Sequence, residues 1–438
     1  MARIIPFPGL RYDLDSVGDL SRIISPPYDK ISSRQREILW HRSPHNAVRL
    51  ILPPPGGVDT DVTKESTDSE SADWYAAAAE RFREWIRTGI LRFDSPRFYV
   101  YRHSFPFNGT RYTRVGIFGA LLLEDQANAH AHEFTFEGPK ADRLRLTRAA
   151  QANLSSIFLL VDGKLQEWDQ LFALARETLL HFHDLEDQEH ELLAISADED
   201  IRAASRFFED RTLVIADGHH RYETALNYRR EMGEKTGRNP DEEPWGKILV
   251  YLVPVESPGL LVLPTHRVLI CLPDGWLERL RGSASAFFDM EFFSEISSEQ
   301  IHELLCRPQY QSAIFVYSLQ VAALFSPKPT VEPPAMAQVP EPIRRLNVSL
   351  LHHYFFSTCL GITPEDLQKE IRYIRGEEEA MSLVRSGSAE AAFLVCSISP
   401  KAVFEASLTG VRMPQKTTDF YPKIPTGLVM RSLAGSHE

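Results

Sequence analysis

Cysteine is scarce in this chain: four residues in 438, at Cys271, Cys306, Cys359 and Cys396, each alone in the sequence. Without a Cys-x-x-Cys spacing, zinc-ribbon and thiol-redox chemistry lack their ligands, and the four read as buried free thiols. Positive charge is also in short supply. Lys and Arg total 48 against 60 Asp and Glu, a formal charge of −12, which argues against the broad basic face that nucleic acid requires. Long apolar runs are missing too: nothing approaches the roughly 18 residues of a spanning helix, and the opening Met1-Ala-Arg-Ile-Ile-Pro-Phe-Pro-Gly9 has no apolar signal core. The expectation is a cytoplasmic protein with neither a membrane nor a nucleic-acid partner. Finally, there is no Gly-x-x-x-x-Gly-Lys-Ser/Thr loop, no Gly-x-Gly-x-x-Gly and no Gly-x-Ser-x-Gly elbow, so the common routes to NTPase, dinucleotide and hydrolase chemistry have no support.

What is present is an ordinary globular composition, 43% hydrophobic and 25% charged, in a chain too long for one core. The pattern of elements is α/β or α+β. A core over residues 1–271, interrupted by an inserted segment at about 55–200, and a C-terminal α/β lobe over 272–438 are expected, the latter carrying a loop at 327–342 with six prolines. Ser25-Pro26-Pro27-Tyr28-Asp29 forces an extended segment, with a helix from Ser32 to Trp40 after it. Asn46 to Leu52 reads as a strand, and Asp59 to Asp73 as a solvated insert. Apolar residues at Trp74, Ala78, Phe82, Trp85 and Ile86 predict an amphipathic helix ended by Gly89. Asn108-Gly109 predicts a tight hairpin between strands 98–103 and 112–124. A helix over 142–153 follows the polar segment 130–140. Further strands are expected at 156–161, 212–216, 247–255, 260–269 and 391–397, and helices at 219–232, at 346–360 and after Thr363-Pro364.

The most informative stretch runs from 212 to 226. An apolar strand, Thr212-Leu-Val-Ile-Ala216, enters Asp217-Gly218-His219-His220-Arg221, and a helix begins at once. The open amides of a first helical turn and the helix dipole form an anion site suited to phosphate. Gly218 permits a positive φ or a close backbone approach, while His219, His220 and Arg221 add donors. The competing explanation is that Asp217 simply caps the helix and its neighbours face solvent.

Ile215-Ala-Asp-Gly-His-His-Arg-Tyr-Glu-Thr-Ala225 resembles the Gly-x-His-Arg turn with which the ParB/sulfiredoxin superfamily holds nucleotide phosphates, most closely in its free-serine kinases. Across nearly the whole chain the sequence resembles the family called domain of unknown function 1015. The resemblance runs through Pro26-Pro27-Tyr28-Asp29, His132-Glu133, Gly138-Pro139-Lys140-Ala-Asp142-Arg143, Pro258-Gly259-Leu260, Leu263-Pro264-Thr265-His266-Arg267, Met413-Pro414-Gln415-Lys416 and Phe420-Tyr421-Pro422-Lys423. Lys30 departs from it, standing where an aliphatic residue is usual.

The resemblance implies a ParB/sulfiredoxin-like nucleotide-binding core and a phosphotransferase using ATP or ADP with Mg2+ on a small hydroxyl metabolite, free L-serine being the first guess. Gly218 to Arg221, with Lys140 and Arg143, would hold phosphate. Asp29, Glu133 or Asp217 would accept the hydroxyl proton, His220 would assist, and Glu133 and Asp217 are the candidate magnesium ligands. Tyr28, His266, Arg267 and Lys416 are the expected substrate contacts. Each has a blander reading: an Asx turn at Asp29, solvated arginines near Lys140, a strand leaving the core at Thr265 to Arg267, and packing of the aromatic turn between Lys416 and Lys423. Two other functions stay open, a non-catalytic nucleotide-binding regulator and a metal-dependent hydrolase built on His132, Glu133, His219 and His220. The oligomeric state is left open.

Overall fold

The computed structural model describes residues 3–55, 69–124, 128–133, 137–414 and 416–434. Two compact units divide the chain: residues 1–131, 135–260 and 422–438 form the first, and 132–134 with 261–421 form the second. The boundary expected at 272 falls inside the second unit, and the last segment belongs to the first.

The first unit is built on an eight-stranded sheet. Phe98–Phe107 and Thr110–Leu122 make the expected hairpin, with Asn108 and Gly109 both at positive φ, 47° and 73°, the backbone that an Asn-Gly turn favours. The strand order runs Leu213–Asp217, Ile157–Val161, Lys247–Pro254, Thr110–Leu122, Phe98–Phe107, Glu189–Ile195, Glu177–His183, and Ile4–Ile5 pairs with the end of Thr110–Leu122. All pairs are antiparallel except Lys247–Pro254 with Ile157–Val161. Residues 55–200, expected as an insertion, therefore supply five strands of this sheet. Phe98, Ile117, Leu159, Trp168, Ile215 and Val250 pack into its core, each such side chain contributing about 1.5–3 kcal/mol on burial.

A smaller sheet in the same unit has the order Leu91–Phe93, Gly9–Tyr12, Met430–Ser432, Ala152–Asn153. Its third strand comes from the end of the chain. The helix Ser69–Arg87 buries Trp74, Ala78, Phe82 and Trp85, and Gly89 follows it at φ 78°. Ser32 caps Ser33–Arg42 through a reciprocal capping box with Gln35.

The second unit carries a six-stranded antiparallel sheet in the order Phe288–Phe292, Ala322–Pro327, Ile314–Ser318, Ala391–Val395, His266–Leu269, Ile371–Ile374. Val268, Phe315, Leu324 and Leu394 form its core beside the helices Ser298–Leu305 and Glu377–Arg385. Thr363 caps Pro364–Glu370 as its sequence predicts.

Three local expectations change. Asn46 to Leu52 is not a strand but the helical turn Val48–Ile51, begun by Asn46, whose Oδ1 accepts from the Val48 amide at 2.9 Å; a short run buried all round has no period to separate the two states. Leu260 to Leu269 splits into Leu261–Val262 and His266–Leu269, with Pro264, which lacks a ladder donor, between them. The helix expected over 346–360 is wound wider from Leu350 to Cys359, as the Leu360 amide reaching Phe355 O at 3.0 Å shows. All four cysteines are free, but Cys271 and Cys306 are exposed and only Cys359 is buried. The insert expected at 59–73 lies mostly outside the described residues. Mixed helices and mainly antiparallel sheets make the fold α+β within the expected α/β class. No helix among the described residues is long and apolar enough to cross a membrane.

Candidate functional site: a glycine turn and its ion pairs

Strand Leu213–Asp217 ends at the turn, and the 18-residue helix His219–Thr236 starts directly after it. Gly218 occupies the cap position at φ 96°, ψ 28°, and no side chain caps the helix. Asp217 is thus not the cap. A Cβ at Gly218 would stand 3.0 Å from Arg221 Nη2 in addition to the strained φ, so glycine is required twice over.

Asp217 is occupied otherwise. Its Oδ2 accepts from Arg221 Nη2 at 2.6 Å and its Oδ1 from Lys423 Nζ at 2.6 Å. Burial alone would raise this carboxyl, but Lys423 and Arg221, with Lys30 also contributing, outweigh it and hold the group well below the usual carboxylate range. Arg221 Nη1 donates to Ser155 Oγ at 3.1 Å and to the Ser156 carbonyl. His219 is buried and His220 half-buried in the same turn.

Lys423 is itself held in place. Arg114, fully buried, donates from Nη1 to the carbonyl of Pro422 at 2.7 Å. Gly259 lets the chain pass Thr113, whose carbonyl oxygen a Cβ would meet at 2.3 Å. Beside Arg221 a cavity of about 60 Å³ is lined by Arg143, Asn153, Ser155, Thr224 and Trp245 among others.

Arg143 lies over the ring of Tyr28 at 4.1 Å and pairs through Nε with Asp142 Oδ2 at 2.7 Å, while Tyr75 donates to Asp142 Oδ1 at 2.6 Å. Burial pushes the Tyr28 phenol up to about 12 against the pull of Arg143. Asp29, next in sequence, is exposed on the short turn Tyr28–Lys30. Lys140 pairs with Glu223 at 3.2 Å, and its carbonyl accepts from Thr224 Oγ1 at 3.4 Å. The structure therefore brings Gly218, Arg221, Lys30 and Lys423 around Asp217, with Tyr28 and Arg143 in the same unit.

The remaining expected residues belong to the second unit. Glu133 Oε1 accepts from the Lys416 amide at 2.9 Å, and its carbonyl accepts from Arg412 Nη1 at 2.9 Å. His132 Nε2 bonds with Thr418 Oγ1 at 2.8 Å. Arg267 is fully buried: it donates to His352 Nε2 at 3.3 Å, to Lys416 O at 3.2 Å and to the Thr265 carbonyl. Burial brings its guanidinium down to about 10, opposed by Tyr373 and Glu133. His266, also fully buried, accepts from the Val395 amide at 3.2 Å and lies 3.7 Å from Glu377. His130 runs along the edge of Leu213–Asp217, bonding to Leu213 and Ile215, while His132 is in the other unit.

Residues 4–349 match the model of a family described as a protein of unknown function, DUF1015. The chain belongs to the DUF1015 family. No curated protein matches it. Among solved structures, a free serine kinase mutant in complex with AMP is 12% identical with a TM-score of 0.34, covering 67% of this DUF1015 chain and 84% of that one. A conserved hypothetical protein from Pyrococcus furiosus is 13% identical, TM-score 0.34, over 68% and 90%. A C-terminally truncated SbnI from Staphylococcus aureus is 10% identical, TM-score 0.33, over 71% and 88%.

In this DUF1015 chain, sequence reasoning missed the pairing of Lys423 with Asp217 and the contacts of Ser155 and Ser156 with Arg221. Lys423 was visible as a lysine beside Phe420-Tyr421-Pro422, but its partner lies 206 residues away. The serines gave no signal. Lys30 was marked by its departure from the usual residue, and its field at Asp217 gives that departure a physical meaning.

Proposed function

We propose that this DUF1015 chain binds nucleotide phosphate at the Gly218 turn and transfers a phosphoryl group to a small hydroxyl metabolite, free L-serine being the first acceptor to test. The observation that carries this reading is the long helix whose N-terminus is capped by no side chain and is presented by a left-handed glycine. Such an end attracts anions through its first-turn amides and its dipole. Three cations, Arg221, Lys423 and Lys30, surround the adjoining carboxylate, and a small cavity of mixed lining adjoins Arg221.

In this reading Asp217 is a positioning residue. Both of its oxygens hold cations, which fixes Arg221 and Lys423 relative to the turn. The proton of the acceptor hydroxyl goes to Asp29, the exposed carboxylate on the rigid Pro26-Pro27-Tyr28 segment. The hydroxyl oxygen forms the new bond to phosphorus as the bond to the nucleotide oxygen breaks. Mg2+ brought in with the nucleotide would neutralise the phosphate oxygens.

The test is incubation of the protein with ATP or ADP, Mg2+ and a panel of amino acids and sugars, with detection of the phosphorylated product. Turnover is expected to fall at least about a hundredfold in Arg221→Ala, since an electrostatic contact to the transferred group is worth about 3 kcal/mol. No turnover with either nucleotide and no nucleotide binding by calorimetry defeats the proposal. Binding without turnover points instead to a nucleotide-responsive regulator.

A further inference from the structure

The edge strand of the large sheet, Glu177–His183, ends in a hairpin with Glu189–Ile195. His181 and His183 stand two residues apart and so share one face of the strand. His183 is in register with Glu189, and His181 with Glu191. His181 Nε2 lies 2.9 Å from Glu189 Oε1, and the ligand atoms of His181, His183 and Glu189 all fall within 4.8 Å of one another. Among the described residues this is the grouping of three metal-ligating side chains.

The surroundings hold this face in position. Phe182, between the histidines, turns the other way and stacks on buried His190 with ring centroids 4.8 Å apart. Asp184 closes the turn, accepting from the amides of Glu186 at 2.8 Å and Gln188 at 2.9 Å. Glu191 is engaged by Arg102 at 3.0 Å. Asp187 Oδ1 sits 3.7 Å from His183 Nδ1, and Arg111 lies 3.7 Å from both Asp187 and Glu189. Both histidine side chains are about half exposed, so packing does not explain them and an ion has open access.

We propose that His181, His183 and Glu189 form a surface site for a divalent transition-metal ion of the zinc class, with water completing its coordination. Two imidazoles and one carboxylate select zinc, cobalt, nickel or copper over magnesium or calcium, which take oxygen ligands. Tetrahedral ligands about 2.0–2.2 Å from zinc stand about 3.4 Å apart. Rotation of exposed side chains closes the difference without moving the backbone. Bound metal clips the outermost strand to its neighbour and takes up the charge of Glu189 that Arg111 otherwise faces. The site is independent of the phosphate reading.

The experiment uses full-length protein without a histidine tag, stripped with chelator and titrated with Zn2+ against a chromophoric chelator. The expected result is about one Zn2+ per chain with micromolar or tighter affinity, a raised melting temperature, and a cobalt visible spectrum of tetrahedral type. His181→Ala with His183→Ala is expected to lower affinity by at least about a hundredfold, and Glu189→Gln by about tenfold, the size typical of changes around a metal site. These positions are exposed, and circular dichroism checks that the variants fold. Failure to bind Zn2+, or binding unchanged in the double variant, overturns the proposal, the latter placing the ion elsewhere.

Discussion

At the residue scale the turn is held together by Asp217. Substituting Asp217→Ala leaves Arg221 and Lys423 largely buried without their counter-charge, and a loss of about 3 kcal/mol is expected, read by urea unfolding. The carboxyl is held below its ordinary value, so its contribution is complete above about pH 3.9 and is lost as pH falls through its lower value in the fold. Asp217→Asn should therefore flatten the acid limb of stability against pH. Half of this arrangement was legible: Asp217 and Arg221 are one helical turn apart, and a glycine between strand and helix is a strong sign. The other half was not, because Lys423 reaches Asp217 only through the tertiary fold.

At the scale of elements, the turn depends on Gly218. Gly218→Ala puts a side chain at φ 96° and 3.0 Å from Arg221 Nη2, and should cost about 1–2 kcal/mol; under the proposed function it should also abolish nucleotide binding measured by calorimetry. A milder change makes a control. Thr363→Ala removes the cap of Pro364–Glu370 in the second unit and should cost about 1 kcal/mol with binding unchanged. Caps and hairpins were the parts of the fold most open to sequence reading: Ser32, Thr363 and Asn108-Gly109 specify their own backbone through local hydrogen bonds or positive φ. Asn46 to Leu52 was misread because burial on every side erases the period of 2 or 3.6 that separates strand from helix.

Over the whole molecule, pH acts through buried histidine. His103, fully buried, bonds to Gln188 at 2.6 Å; burial, then Arg114 and His190, bring its pKa well below the usual histidine value. It stays neutral in the fold while the unfolded chain takes up a proton below about pH 6.5, so stability falls as pH drops below that point. The melting temperature of the wild type should decline between about pH 6.5 and 5, with a shallower decline in His103→Gln. Strand order was the least legible feature. Residues 55–200 read as an insertion because their hairpins are locally complete, yet they supply five strands of the large sheet, and register with Lys247–Pro254 depends on contacts far apart in sequence.

The strand Met430–Ser432 sits between Gly9–Tyr12 and Ala152–Asn153, and Lys423 lies just before it. During synthesis both leave the ribosome only after the entire second unit has been made. The smaller sheet begun at Gly9 thus waits for more than four hundred residues of chain before its gap is filled. A chain ending before residue 422 leaves Asp217 without Lys423 and two strands without their shared neighbour. The turn at Gly218 thus gains its Lys423 contact only once the chain has been made through residue 423.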